Sequence, residues 1–231
     1  MAAGLRIALN ALIALALSAN GIAFASSSVA YALRGSDNYR IGNQRVTVTY
    51  DGRESVAPHA ESSGRGYFVT IDYVTNHREK RSMRRADDPN KLSVLNQPLP
   101  YEISARQLRA ITTLSNRFPF DFHLSDGAGA LSGYLEPAPK SPRSDVVGIA
   151  FAAKGPMQGP LPGTSHSAVS GELMLSGTAY YFTHSRRLVV IDDTITFDGY
   201  VGDARNMPVH ISYKRKIYAL PPVVVGKRGA S

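Results

Sequence analysis

The chain has no cysteine among its 231 residues. A disulfide framework is therefore excluded, and so are thiol catalysis and metal sites built on thiolates. The chain also has no residue to which a bacterial lipid anchor could be attached through sulfur. An exported protein of this composition has to be stabilised by its core alone, which is feasible because a chain of this size buries about 70% of its unfolded surface.

Several motifs that mark enzyme classes are also missing. There is no phosphate-binding loop, no dinucleotide-binding glycine pattern and no G-x-S-x-G nucleophile elbow. No two of the six histidines have the H-x-H or H-x-x-x-H spacing of metal ligands, so the sequence predicts no metal site and no cofactor. The adjacent Ser165, His166 and Ser167 lie in a Pro/Gly-rich loop and are a weak signal for catalysis.

Four aspartates cluster around one turn without the calcium-binding spacing of an EF-hand. Two of them are adjacent within a predicted strand, so their side chains point to opposite faces and cannot easily share one ion. We interpret the cluster as solvated turn and strand residues. Its members are Asp192, Asp193, Asp198 and Asp203.

The N-terminus is the most informative segment. Arg6 precedes an apolar run, residues 7–17, which is followed by the small-residue site Ala23-Phe24-Ala25. This pattern is typical of a secretory signal peptide over residues 1–25, and the run is shorter than the roughly 20 residues of a membrane-spanning helix. No later stretch is long and apolar enough to span a membrane, so we predict a periplasmic or secreted bacterial protein exported by a Sec-type signal, with no transmembrane span in the mature chain.

The formal net charge is +8, and cleavage of the signal removes only Arg6 from the basic residues. An excess of this size favours loose attraction to anionic surfaces. In the predicted compartment these are envelope glycolipids, acidic polysaccharides or lipid headgroups. Nucleic acid fits the charge but not the compartment, so we predict no nucleic-acid partner.

Most of residues 26–231 alternates between apolar and polar side chains, which predicts strands rather than helices. We therefore expect one all-β domain, a predominantly antiparallel barrel or two-sheet sandwich. In the last predicted strand the alternation puts Arg215 among the inward positions. The predicted strands cover 45–50, 66–76, 118–124, 130–135, 145–153, 172–182, 188–197 and 209–219.

One segment departs from this pattern. Ser104 and Gln107 have the spacing of a capping box, and Leu108, Ile111 and Leu114 then share one face at helical spacing. We predict one amphipathic helix near 105–116 that packs its apolar stripe on the sheet.

Charge, proline and glycine mark the remaining segments as loops at 77–91, 136–144 and 155–165, with a loose tail at 226–231. The first loop carries a basic run that is the candidate anion-binding site: Arg78, Lys80, Arg81, Arg84 and Arg85. In a helix, residues 80 and 84, and residues 81 and 85, would stack into a cationic ridge. The alternative is a solvated loop whose positive charge is partly balanced by Asp87 and Asp88.

Asp121 and His123 are the candidate catalytic residues, because alternation places both on the face opposite a Phe stripe, where they could form an acid/base pair. Asp126 in the following turn could join them. The alternative is a polar strand face in water. The sequence thus favours a non-enzymatic, exported binding or structural protein whose basic loop contacts anionic envelope components. A β-barrel of this size could also hold a small apolar ligand. The second interpretation is a hydrolase or lyase acting on the envelope.

Overall fold

The computed structural model describes residues 28–61, 64–87, 99–123, 130–141, 143–160, 168–201 and 207–221. The predicted signal peptide and the predicted loose tail lie outside these residues. The strands are β1 (Val29–Ile41), β2 (Gln44–Glu61), β3 (Gly64–Thr75), β4 (Lys80–Asp87), β5 (Phe118–His123), β6 (Ala130–Pro137), β7 (Val146–Pro160), β8 (Ala168–Phe182), β9 (Leu188–Val201) and β10 (Met207–Ala219). The helix α1 is Ala105–Thr113.

All ten strands belong to one antiparallel sheet, in the order β4-β3-β2-β1-β10-β9-β8-β7-β6-β5. The sheet is open, with β4 and β5 at its two edges among the described residues. The prediction of a predominantly antiparallel all-β protein with one helix is confirmed. Within the described residues, no helix is both long and apolar enough to cross a membrane.

The sheet has an inner face, which is buried, and an outer face, which is exposed. A single apolar cluster takes residues from the inner rows of every strand except β4. In β10, for example, Val209, Ile211, Tyr213 and Ile217 are buried while their neighbours in sequence are more exposed. This period-two pattern is the physical reason for the fold, because a strand of a two-faced sheet presents alternate side chains to the core.

The helix confirms the capping box. Gln107 N–H donates to Ser104 Oγ at 3.1 Å, and the Ser104 backbone N–H donates to Gln107 Oε1 at 2.6 Å. Leu108, Ile111 and Leu114 pack against the core, as the stripe predicts. The helix ends at Thr113 instead of residue 116, because Leu114 already has an extended backbone.

Two predicted loops are wrong in large part. Residues 80–87 within the 77–91 segment form the edge strand β4, because an edge strand needs only one hydrogen-bonded neighbour and tolerates charge. Residues 155–160 within the 155–165 segment extend β7, where Pro156 and Pro160 are paired with β8 in the register. The 136–144 loop is two residues shorter, because β6 continues to Pro137. Residues 161–167 lie outside the description.

The first strand of the sheet was not predicted. Its inner row includes Gly35 and Asp37, which break the apolar pattern, although Tyr31, Leu33 and Tyr39 continue it. A two-residue turn joins β1 to β2, and Gly42 in that turn has φ +57°, a conformation that favours glycine. The Gly42-Asn43 pair is thus a hairpin signal that could have revealed this strand.

Replacement of Ser104 by alanine removes the hydroxyl that accepts from Gln107 N–H, and we expect it to lower the free energy of unfolding by about 1 kcal/mol. The matched control is Thr112→Ala, in which an exposed hydroxyl in the last turn of the helix is lost and helix propensity improves. Urea denaturation followed by circular dichroism measures both. Equal stability of the two variants would contradict a role for the cap.

Candidate ligand-binding cavity

A cavity of about 390 Å³ opens on the inner face where β1, β2, β3, β4 and β10 meet. Its size falls in the range of small-molecule sites, about 300–1,000 Å³. Apolar wall positions come from Leu33, Val48, Ile71 and Met83. Aromatic and charged side chains complete the lining, so the cavity combines an apolar wall with a few polar groups.

Four tyrosines form two edge-on pairs in this wall. The rings of Tyr39 and Tyr213 are 5.9 Å apart, centre to centre, and those of Tyr50 and Tyr73 are also 5.9 Å apart. Burial raises the pKa of the Tyr50 and Tyr213 hydroxyls, so both stay neutral over the physiological pH range. The wall therefore offers uncharged hydroxyls and aromatic surfaces.

Gly35 makes room for the cavity in the middle of the sheet. In the register it lies between Tyr50 on β2 and Arg215 on β10. A Cβ at this position would lie 2.4 Å from the Tyr50 ring and 2.6 Å from the carbonyl oxygen of Lys214. The Tyr50 ring thus occupies space that any other side chain would take.

A buried ion pair lies beside this glycine. Arg215 Nε is 3.2 Å from Asp193 Oδ1, and Arg215 Nη2 is 3.2 Å from Asp193 Oδ2. The two side chains are 9% and 0% exposed. Burial by itself would lower the pKa of Arg215, but the charge and hydrogen bonds of Asp193 raise it above its usual value. Burial raises the pKa of Asp193, and the guanidinium opposes that shift. The inward position predicted for Arg215 is confirmed.

The neighbouring pair on the same strands lies on the outer face. Lys216 Nζ is 3.4 Å from Asp192 Oδ2, and both side chains are more than half exposed. The opposite orientation predicted for Asp192 and Asp193 is thus confirmed, but the interpretation of Asp193 as a solvated residue is wrong, because its carboxylate is buried against Arg215. The two ion pairs lie one residue apart on the same strands, and one is buried whereas the other is exposed.

Three buried polar atoms in the cavity lining have no hydrogen-bond partner among the described residues: Asp37 Oδ1, Thr75 Oγ1 and the Tyr213 hydroxyl. Asp37 Oδ2 lies 3.5 Å from the Tyr39 hydroxyl. Burial raises the pKa of Asp37, while the nearby hydroxyls of Tyr50 and Tyr39 and the charge of Arg215 oppose the shift. Buried polar groups are nearly always hydrogen-bonded, so these atoms point to a polar guest.

The predicted anion site is divided between two faces of the sheet edge. Arg78 lies in the turn before β4 with φ +62°. Arg81 lines the cavity and donates to Glu79 at 2.7 Å, whereas the Arg84 guanidinium lies 4.3 Å from the centre of the Phe68 ring. In a strand, residues four apart are separated by about 13 Å. The helical ridge is therefore wrong, because the segment is extended and successive side chains alternate between faces.

The remaining residues of the run and the candidate catalytic pair lie on the two edge strands. Lys80 is exposed, and Arg85 is paired with Val69 in the register. Asp121 is exposed on β5, and His123 ends that strand, opposite Ala130. Asp121 is not among the residues that line the cavity. The structure does not describe Asp126, Ser165, His166, Ser167 or Asp203.

An acid–imidazole contact not anticipated from the sequence lies on the outer face. His210 Nδ1 is 2.5 Å from Asp198 Oδ1, and the two residues are directly opposite each other on β10 and β9. Both side chains are about half exposed. Among the described residues, no three His, Asp or Glu side chains converge as metal ligands would.

Charge is unevenly distributed over the outer face. On β1–β4 and β10, among the residues whose side chains the structure describes, its acidic residues are Asp51 and Asp72, whereas its exposed basic residues are far more numerous. On β5–β9 the outer face carries Lys154 and mainly acidic residues: Asp121, Glu136, Glu172, Asp192 and Asp198. The outer face is thus basic on the half of the sheet that holds the cavity. We call this the basic face, made of Arg34, Arg40, Arg45, Arg53, Lys80, Arg84, Lys214 and Lys216.

The two ion pairs of β9 and β10 permit a matched stability test. Arg215→Met leaves the buried carboxylate of Asp193 without its charged partner, and we expect it to lower the free energy of unfolding by about 3–5 kcal/mol. Lys216→Met breaks the exposed pair on the same strands and should cost about 0–1 kcal/mol. The double variant Arg215→Met/Asp193→Leu should regain most of the loss. Equal denaturation midpoints for the two single variants would contradict the assigned burial.

No protein-family model matches the chain, and no curated protein is significantly similar to it in sequence.

Proposed function

We propose that this is an exported, non-enzymatic binding protein that holds a small molecule in the cavity on the inner face of its sheet. The observation that carries the proposal is the set of three buried, unpartnered polar atoms on Asp37, Thr75 and Tyr213, all in one cavity lining. Leaving such groups unsatisfied costs about 1–3 kcal/mol each, which a ligand or ordered water with matching polar groups would recover. Export is inferred from residues 1–25.

The charged groups around the cavity favour binding over catalysis. Arg215 is held by Asp193 on two hydrogen bonds, and Arg81 is held by Glu79. Groups held in this way preorganise a pocket, because they shape its field without reorganising when a guest enters. The hydrolase interpretation relied on Asp121, which is exposed on the edge strand at the far end of the sheet from β4.

The absence of tryptophan makes a direct test possible. In the Tyr73→Trp variant the sole tryptophan stands in the cavity wall, and in the control Tyr200→Trp it stands on the outer face. Three probes share a phenylethyl group: 2-phenylethylammonium, 2-phenylethanol and 3-phenylpropionate. We expect at least one of them to shift the tryptophan fluorescence of Tyr73→Trp and not that of Tyr200→Trp.

Each probe is titrated to about 10 mM, and wild-type protein is followed in parallel by amide chemical shifts. No response from any probe by either method would refute the proposal. Equal responses from both variants would place binding outside the cavity and refute it as well.

A second function is favoured by the basic face. We propose that it attaches the protein to a membrane surface rich in anionic lipid headgroups. Its cations come from four strands of one sheet, β1, β2, β4 and β10, rather than from a loop, so they present a two-dimensional array that suits an extended surface. Each Lys or Arg near such a surface contributes about 1 kcal/mol at low salt, so several together suffice for attachment.

The test removes three charges from the basic face. We expect the triple variant Arg45→Ser/Arg53→Ser/Lys214→Ser to lose about 100-fold in partitioning onto phosphatidylglycerol vesicles, because about 3 kcal/mol of attraction is lost. The control Arg109→Ser/Lys140→Ser/Lys154→Ser removes equal charge from exposed positions elsewhere. Vesicle co-sedimentation at low salt measures both. Equal losses, or equal binding to pure phosphatidylcholine vesicles, would contradict a specific basic face.

A further inference from the structure

The charges around the cavity indicate which guest it accepts. Acidic groups outnumber basic ones there, although the whole chain carries a net charge of +8. Glu54 is buried in the lining and accepts from the Tyr101 hydroxyl at 2.9 Å. The carboxylates of the lining are Asp37, Glu54 and Glu79, against the guanidinium groups of Arg81 and Arg215, and His77 also lines the cavity. Asp193 lies outside the lining, where it is buried against Arg215. A cavity with excess negative charge inside a basic protein favours a cationic guest over an anionic one.

Asp37 supplies the anchor for such a guest. Its Oδ1 is buried, lines the cavity and has no partner among the described residues. A carboxylate oxygen only accepts hydrogen bonds, so a complementary guest brings an N–H or O–H donor. A protonated amine is the strongest complement, because it provides both the donor and the opposite charge.

The tyrosines around Asp37 provide the second feature of a cation site. Tyr213 is opposite Asp37 in the register, and Tyr39 lies on the same row of β1. Tyr50 and Tyr73 form the other pair of rings in the same lining. The face of an aromatic ring carries a negative quadrupole that attracts ammonium groups within about 6 Å of its centre.

Arg215 does not turn the site into an anion site. Its guanidinium is engaged by both carboxylate oxygens of Asp193. An anionic guest that approached Arg215 would compete with Asp193 and would be repelled by Asp37 and Glu54. Anions are therefore disfavoured at the floor of the cavity.

The mouth of the cavity indicates an organic guest rather than a simple ion. Met83 lines it and is 37% exposed, and Val48 lines it directly opposite Asp37 in the register. These large apolar side chains stand on the inner face and can cover a hydrocarbon or aromatic portion of the guest.

We propose that the cavity binds a protonated organic amine, with the ammonium group on Asp37 among the tyrosine rings and the apolar portion against the apolar wall that includes Val48, which is paired with Asp37 in the register. This rests on the proposed small-molecule binding function and names its ligand class. The ammonium donates to Asp37 Oδ1, and the hydroxyls of Thr75 and Tyr213 are within the same lining to accept its remaining protons.

The test compares the three phenylethyl probes by calorimetry on wild-type protein, Asp37→Asn and the control Asp72→Asn. Asp72 is exposed on the outer face of β3, so the control removes the same charge without touching the cavity. We expect 2-phenylethylammonium to bind about tenfold or more tighter than 2-phenylethanol. Asp37→Asn should abolish that preference and leave the affinity for the alcohol within about twofold, and Asp72→Asn should behave as wild type.

Thermal unfolding shows whether Asp37→Asn is folded. If Asp37→Asn does not fold, the Tyr39→Leu variant is used in its place, because it keeps apolar volume but loses the aromatic ring. We expect Tyr39→Leu to weaken ammonium binding more than alcohol binding. Equal or tighter binding of the alcohol or of 3-phenylpropionate would overturn the amine assignment and leave cavity binding intact. An unchanged preference in a folded Asp37→Asn protein would overturn it too. If no probe binds, the proposed function itself fails.

Discussion

The register between β9 and β10 is the constraint on which the cavity depends. It sets Arg215 opposite Asp193 and Lys216 opposite Asp192, so both pairs of opposite charges form at once. Because side chains alternate across a strand, the first pair is buried and the second is exposed. A slip of one residue would turn the inner row outward and leave buried charges unpaired. On the other side of β10, its register with β1 aligns Tyr213 with Asp37 and Arg215 with Gly35.

This arrangement divides one sheet into two working halves. The β5–β9 half has a dense apolar inner face, and α1 packs there through its stripe. The β1–β4 and β10 half contains the cavity, where tyrosines, charges and a glycine replace part of the apolar packing. Its outer side is the basic face. A single layer of strands can therefore present a ligand site on one side and a membrane-attachment surface on the other. The two proposed functions would then use opposite faces of the same strands.

Where the sequence pattern was strong, prediction and structure agree. The capping box of Ser104 and Gln107 lies where helix α1 begins, because its hydrogen bonds are local and need no tertiary partner. The alternating strands β8, β9 and β10 were anticipated for the same reason. The inward position of Arg215 was also readable, and it was the one sequence signal that led toward the site. The inward position of Arg215 implied a buried acidic partner, but the sequence did not identify Asp193 as that partner.

The errors in the strand predictions fall where the local sequence pattern conflicts with what the tertiary structure requires of a residue. Strand β1 was missed because Gly35 and Asp37 interrupt its inner row; Asp37 lines the cavity, and Gly35 leaves space for the ring of Tyr50, which also lines it. Strand β4 was taken for a solvated loop because its charges hide an edge strand, whose outer positions need no apolar character. The sequence by itself determined an all-β chain, a capped helix and an excess of positive charge, since these follow from spacing and composition. The tertiary structure decided that Asp37, four tyrosines and the buried ion pair lie at one cavity, and that the residues of the basic face lie on one side of the sheet. These contacts depend on the register in which strands distant in sequence are paired.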